Sequence, residues 1–186
     1  DILTIKNGRK VVNNGMNEEK VLLDEINLTI REGDFITVLG GNGAGKSTLF
    51  NTIAGTLQLS QGSISFKDQL ITKDSEEKRA RFLSRVFQDP KMGTAPRMTV
   101  AENLLLAQKR GQKRKFRLRN LKNQKEDFFR LCQEVGNGLE QHLDTPAGEL
   151  SGGQRQALSL LMATITAPEL LSLDEHTAAL DPKTAK

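Results

Sequence analysis

The sequence holds one cysteine, no tryptophan and no tyrosine, and its aromatic residues are eight phenylalanines. The single thiol, Cys132, excludes an internal disulfide framework and suits a reducing compartment. It sits in a stretch with helical patterning and reads as a residue that fills a helix face. No apolar run approaches the ~18–20 residues needed to span a bilayer, so the chain is not expected to cross a membrane by itself. The opening Asp1-Ile2-Leu3-Thr4 lacks the marks of a signal peptide and runs straight into folded-looking sequence. Repeats and low-complexity segments do not stand out. A formal net charge of +4 is too mild to argue for nucleic acid. What remains is ordinary: 186 residues, 37% hydrophobic and 27% charged, enough for one domain with a core or one domain carrying an inserted subdomain. Neither end reads as natural, because there is no initiator Met and Lys186 falls inside what should be another helix. An incomplete domain is therefore expected.

The strongest positive feature is Gly40-Gly41-Asn42-Gly43-Ala44-Gly45-Lys46-Ser47-Thr48, which fits G-x-x-x-x-G-K-[ST]. Strand-forming residues 35–39 lead into it, and an expected helix over 47–53, stopped by Gly55, leads out. Glycines there allow positive φ and remove the Cβ atoms that would keep successive N–H groups from converging on one concavity. The helix start adds unpaired N–H donors and the positive end of a dipole. Lys46 is expected to reach the β- and γ-phosphates, and the Ser47 hydroxyl to ligate Mg²⁺. The reading is a nucleoside-triphosphate site.

Elsewhere the first third alternates as strands do, at residues 3–5, 26–30 and 63–66, with turns at 31–34 and 61–62. Ser75 is placed to cap a charged helix reaching about Arg81. Val86-Phe87 reads as a short buried strand, left through Gln88-Asp89-Pro90 as a loop. Thr99 and Glu102 have capping-box spacing ahead of Leu104-Leu105-Leu106, and a further helix is expected over 124–135, closed by Gly136-Asn137-Gly138. Ser151-Gly152-Gly153-Gln154 repeats the capping spacing before a helix that Pro168 ends. Leu170-Leu171-Ser172-Leu173 reads as a buried parallel strand closed by Asp174-Glu175. The middle third is thus a helical subdomain set into an α/β core.

A phosphate loop followed much later by an apolar strand ending in Asp makes the second half of an NTPase site. Asp174 is expected to face the Mg²⁺, usually through water, and Glu175 to polarise or orient the attacking water. By itself such a pair would read as solvated acids at a strand end; the phosphate loop favours the functional reading. A Ser cap with two glycines at 151–153 is a second anion-binding helix start. One chain offers two such starts, and a head-to-tail dimer puts both on one nucleotide.

In this order, GGNGAGKST, the Gln88 loop, LSGGQRQ and LLSLDEHTAALDP resemble the ATP-binding subunit of an ABC transporter over essentially the whole chain. The resemblance implies a fold of the α/β class: a P-loop NTPase core with an N-terminal antiparallel β subdomain and an inserted α-helical subdomain, the C-terminal part of the core missing. It divides residues 1–186 into a β-rich ATP-binding core (1–88), a helical subdomain ending in the signature (89–160) and a return to the core (161–186). It implies an ATPase using ATP and Mg²⁺ at the cytoplasmic face of the membrane. Its partners would be transmembrane permease subunits, a second copy of itself and, indirectly, an extracytoplasmic substrate-binding protein, with no nucleic acid. In this scheme Glu175, Gln88 and Lys46 are catalytic, and residues 40–48 with Ser151, Gly152, Gly153 and Gln154 hold nucleotide. Ser47, Gln88 and Asp174 serve the metal, Gln88 by similarity to the family's Q-loop glutamine, and Ala178-Ala179-Leu180-Asp181 resembles its D-loop. VFQDP-x-MGTA and LDEHTAALDPKTA resemble importer ATPases paired with a substrate-binding protein, some linked to aromatic amino-acid uptake; an exporter ATPase or a non-transport ABC ATPase is the alternative. DNA-acting relatives need a long coiled coil, and the insert here has no sustained heptads.

The chain departs from the family at Val12, near where an aromatic ring usually stacks on adenine, and at Ser172, a hydroxyl in an aliphatic strand. The family's switch histidine would lie past Lys186, and His176 does not replace it. Fragment 1–186 is accordingly expected to turn over poorly. The basic run 109–125 reads as a solvated face or as a contact for anionic lipid headgroups; with only Phe116 interleaved, it does not suit single-stranded nucleic acid.

Overall fold

The computed structural model describes residues 1–13, 18–41, 43–112, 121 and 123–174. The chain divides into two compact units, Asp1–Ala80 and Arg81–Lys186.

The first unit is built on a four-stranded antiparallel sheet of order β2-β1-β3-β4, from β1 (Leu3–Asn13), β2 (Glu19–Ile30), β3 (Gln61–Phe66) and β4 (Gln69–Leu70). Leu3 and Ile5 stand two residues apart on β1, opposite Phe66 and Ile64 on β3, so the period of two puts all four on one buried face. The strands run longer than the sequence alternation suggests. Residues 61–62, expected as a turn, belong to β3, where an added Cβ on Gly62 would lie 2.3 Å from the Asn7 carbonyl oxygen at a bulge of β1. Lys67 and Asp68, both at positive φ, make the tight turn into β4.

Helix α1 (Lys46–Ala54) ends at Gly55 in the left-handed conformation, one residue longer at each end than expected. Below it, α2 (Glu76–Arg79) carries an arginine that is wholly buried. The Arg79 guanidinium donates to the carbonyls of Thr52 and Ile53, both at 2.8 Å, and to those of Ile71 at 2.6 Å and Thr72 at 3.1 Å. Burial lowers its pKa, and the nearby Asp74 charge opposes that shift.

Residues 35–39 do not form a strand. Phe35 and Leu39 are 90% and 87% exposed, and the segment enters no ladder. A strand is held by its neighbours' N–H and C=O groups, and no described strand of the first unit pairs with this one.

In the second unit β5 (Leu83–Val86) and β6 (Leu170–Leu173) run parallel, in register from Leu83 with Leu170 to Val86 with Leu173. β5 thus ends one residue short of Phe87, and β6 is half-exposed rather than buried, with Leu171 and Leu173 open on a two-stranded sheet. The Ser172 hydroxyl is buried without a hydrogen-bond partner among the described residues, so that departure costs stability. Gln88-Asp89-Pro90 does not leave β5 as a simple loop: α3 (Pro90–Gly93) follows at once, because Asp89 accepts the Lys91 N–H at 2.9 Å and Pro90 fits the first helical turn.

The helical part holds α4 (Val100–Gln108), α5 (Lys125–Val135) and α6 (Gly152–Thr164) around Val100, Leu104, Phe128, Cys132, Leu139 and Leu158. Thr99 and Glu102 form the expected capping box on α4. Phe128 and Cys132, four apart on α5, both face this core, and burial with the nearby Glu140 pushes the thiol up to about 11. Arg110 closes the far end of α6 by donating to the carbonyls of Ala163 at 3.2 Å and Thr166 at 2.9 Å.

Candidate functional site

A helix start that is not capped by its own side chains has donors to give away, and α1 has such a start. Gly45 occupies its N-cap at φ 86°, with no side-chain cap bond. An added Cβ there would sit 2.7 Å from the Leu22 carbonyl oxygen of β2, so both backbone conformation and close approach require glycine. The Ala44 N–H donates to the Gly41 carbonyl at 3.2 Å, and the Leu49 N–H to that of Gly45 at 2.8 Å. The helical ladder therefore begins at Leu49, and the N–H groups of Lys46, Ser47 and Thr48 have no acceptor within the helix. Lys46 folds back over the loop, its ammonium donating to the carbonyls of Gly40 and Gly41, the latter at 3.0 Å. The Ser47 side chain is exposed at the helix start. Open space surrounds Gly41 and Gly43, where an added Cβ would meet nothing within 4 Å. Free N–H donors, the positive end of a dipole and an ammonium on one short loop fit a polyphosphate. Asn42 lies outside the described residues.

In the second unit the parallel pair brings two further candidates to the same end of the sheet. Gln88 is exposed two residues past β5, and Asp174 follows β6 directly. The Asp174 N–H donates to the Val86 carbonyl at 3.1 Å, carrying the ladder one residue beyond the strand. Ligands of open α/β sheets gather at this carboxyl end. The Asp174 carboxylate is not simply solvated: Arg85 Nη2 donates to its Oδ2 at 2.7 Å, with the two side chains only 11% and 15% exposed. Glu175, His176 and residues 178–181 lie outside the described residues.

Ser151 caps α6 in a complete box: its hydroxyl accepts the Gln154 N–H at 3.3 Å, and Gln154 Oε1 accepts the Ser151 N–H at 3.2 Å. Gln154 also donates from Nε2 to the Asn137 carbonyl at 3.3 Å. Gly152 and Gly153 are exposed, and an added Cβ at either would meet nothing within 4 Å. Their lack of a side chain serves no packing within the described residues.

Several arrangements around these residues are not visible in the sequence. Arg155, one residue past the capping box and buried, donates from Nε to Thr94 Oγ1 at 2.9 Å, and Thr94 donates to the Pro90 carbonyl at 3.0 Å. An added Cβ on Gly93 would lie 2.9 Å from Ser159 Oγ. The short helix after Gln88 is thereby fixed to the first turns of α6. Arg85 is the other residue missed. Arginines in a charged stretch read as solvated, and the signal that could have found this one is the strand period, which puts Arg85 on the same face as Phe87.

A model of the ABC transporter family matches residues 23–178. The chain belongs to this family. It is 42% identical over 184 residues to a tyrosine transport ATP-binding protein of Clostridioides difficile, a match covering 99% of this chain and 73% of that protein. It is 35% identical to the spermidine/putrescine import ATP-binding protein PotA of Haemophilus ducreyi, over 90% of this chain but 42% of that one. Among solved structures it is similar to an ATP-binding cassette dimer in a post-hydrolysis state, bound to ADP and Pi. That match has a TM-score of 0.78 and 26% identity and covers 98% of this chain and 77% of that chain. The protein is therefore an ABC-type ATPase domain of the α/β P-loop class, and ATP is its nucleotide. ATP-binding subunits of transporters work with membrane permeases and pair with a second ATPase domain.

Among the described residues no helix is long and apolar enough to cross a membrane. No group of three His, Cys, Asp or Glu residues could cage a metal there either. The Ser47 hydroxyl and the Asp174 carboxylate are hard oxygen donors of the kind Mg²⁺ takes beside phosphate oxygens and water.

Proposed function

We propose that this chain is the ATP-hydrolysing subunit of an importer for a small solute, acting at the cytoplasmic face of the membrane beneath a permease and served by an extracytoplasmic substrate-binding protein. The uncapped start of α1, with Lys46 folded over its loop, carries the nucleotide part of this reading. The import direction rests on relatives named for spermidine/putrescine and hemin import. The tyrosine transport relative favours an amino-acid solute. In the division of labour we assign, residues 1–88 form the ATP-binding core, 89–160 the helical subdomain and 161–186 the return to the core.

Residues 40–48 bind the triphosphate, Lys46 through the β- and γ-phosphates. The Ser47 hydroxyl, Asp174 and Gln88 would hold Mg²⁺, directly or through its water, and the ion would neutralise phosphate charge. Glu175 orients the attacking water and accepts its proton. Ser151, Gly152, Gly153 and Gln154 close on the γ-phosphate held by a second copy. The empty space over Gly152 and Gly153 supports that last role, since it leaves room for a ligand to approach the backbone.

The test is Glu175→Gln in the complete natural chain. With saturating Mg-ATP it is expected to elute as a dimer on sizing and to turn over at least 100-fold more slowly. A monomer under those conditions defeats the two-copy site. Solute uptake into vesicles holding the copurified permease distinguishes import from an exporter.

A further inference from the structure

On the parallel pair, register and pleat decide which side chains share a face. Arg85 lies opposite Ser172. Side chains two apart point the same way, so Phe87 joins Arg85, and Asp174 joins Ser172, on one face at the carboxyl end of the sheet. There the Arg85 guanidinium meets an aromatic ring and a carboxylate. The Phe87 ring lies 4.7 Å from its Cζ, and Asp174 Oδ2 accepts from Nη2 at 2.7 Å. Both charges are nearly removed from water. An ion pair so placed holds the carboxylate in a fixed geometry, because losing the guanidinium would strip a nearly buried carboxylate of this partner. The bond engages Oδ2, and Oδ1 accepts no hydrogen bond from the described residues.

We propose that Arg85 is a positioning residue for the Mg²⁺ of the ATP site: by engaging Asp174 Oδ2 it fixes the carboxylate so that Oδ1 meets the metal's water shell. This rests on the role assigned to Asp174 above. Carboxylates that serve metals are themselves oriented by hydrogen bonds, and losing such a partner typically lowers metal affinity about 10–100-fold. Phe87 adds a stacking surface that limits how far the guanidinium can swing. Arg85 touches neither nucleotide nor metal; it acts through Asp174.

The experiment titrates Mg²⁺ against binding of a non-hydrolysable ATP analogue in the complete natural chain, with a parallel measurement in excess EDTA. For Arg85→Met, metal-free affinity is expected to stay within about twofold of the parent, because residues 40–48 are untouched. The Mg²⁺ concentration at half-saturation is expected to rise about tenfold. Arg85→Lys, which keeps a charge and a donor, is expected to recover most of that shift. Far-UV circular dichroism and thermal unfolding follow folding in both variants. An unchanged or lowered Mg²⁺ midpoint in Arg85→Met would overturn the proposal, the lowered one showing that the guanidinium competes with the cation. So would equal losses with and without metal, or no recovery in Arg85→Lys, since either marks a merely structural residue. Asp174→Asn separates the two layers. If it leaves the Mg²⁺ midpoint unmoved, the metal role of Asp174 fails and the Arg85 proposal falls with it. If it shifts the midpoint while Arg85→Met does not, the Arg85 proposal alone fails.

Discussion

Two helices of this protein begin on glycine-rich sequence, and they solve the same problem in opposite ways. Each helix start leaves N–H groups that the helix cannot satisfy. At α6 the chain answers part of that need itself, as Ser151 and Gln154 exchange two hydrogen bonds and Gln154 ties back to Asn137. At α1 no side chain caps the start: Gly45 turns left-handed, and the Lys46 ammonium bonds to loop carbonyls. The first start is partly capped and presents its glycines, whose N–H groups have no acceptor within the helix, to whatever arrives. The second is incomplete until an anion arrives. One is a docking edge and the other a receptor, although both read as Gly-rich helix starts.

The largest effect should come from Gly45→Ala. The left-handed backbone and the 2.7 Å approach to the Leu22 oxygen together are expected to cost about 2–4 kcal/mol of stability, read by urea unfolding. Next, Lys46→Ala should weaken ATP binding on the order of 100-fold, the loss of strong charge-assisted bonds, with the thermal midpoint of the nucleotide-free protein little changed. If Lys46→Ala instead destabilised the free protein, its bonds to the loop carbonyls would be structural and the contrast between the two starts would weaken. Ser151→Ala should cost about 1 kcal/mol, because α6 loses a cap of its own. Gly153→Ala should have the smallest effect on folding and the opposite sign. With nothing for the new Cβ to meet, it is expected to stabilise the chain by up to ~0.5–1 kcal/mol while sharply lowering ATP hydrolysis. Normal hydrolysis in that variant would mean that α6 receives no ligand.

Features set by neighbours in sequence were legible from sequence. Thr99 with Glu102, and Ser151 with Gln154, announce capping boxes because the partners lie three residues apart. Gly55 and Gly136 mark helix ends for the same local reason. Asp89-Pro90 carried an equally local signal, a cap followed by a first-turn proline, yet a polar Gln-Asp-Pro run reads as loop and α3 was hidden by it. Residues 35–39 failed differently: their run of apolar and β-branched residues is genuine strand chemistry, but a ladder needs a partner that composition does not reveal. Of the candidate site, the loop 40–48 and the strand-end Asp174 were read from pattern. Arg85, Thr94 and Arg155 were not, because their roles exist only once β5, β6, α3 and α6 are side by side. Buried arginines are poorly signalled by sequence, since the same residue type in the same kind of run is usually solvated.

The Arg79 clamp has a mechanical meaning. A nine-residue helix is only about 13 Å long and would fray from both ends in water. One guanidinium, holding two carbonyls of its last turn and two of the chain beyond β4, moors that helix at its foot. Any rearrangement that accompanies phosphate arrival or departure is then confined to the few residues ahead of Lys46, and the loop can change shape many times on a post that does not turn.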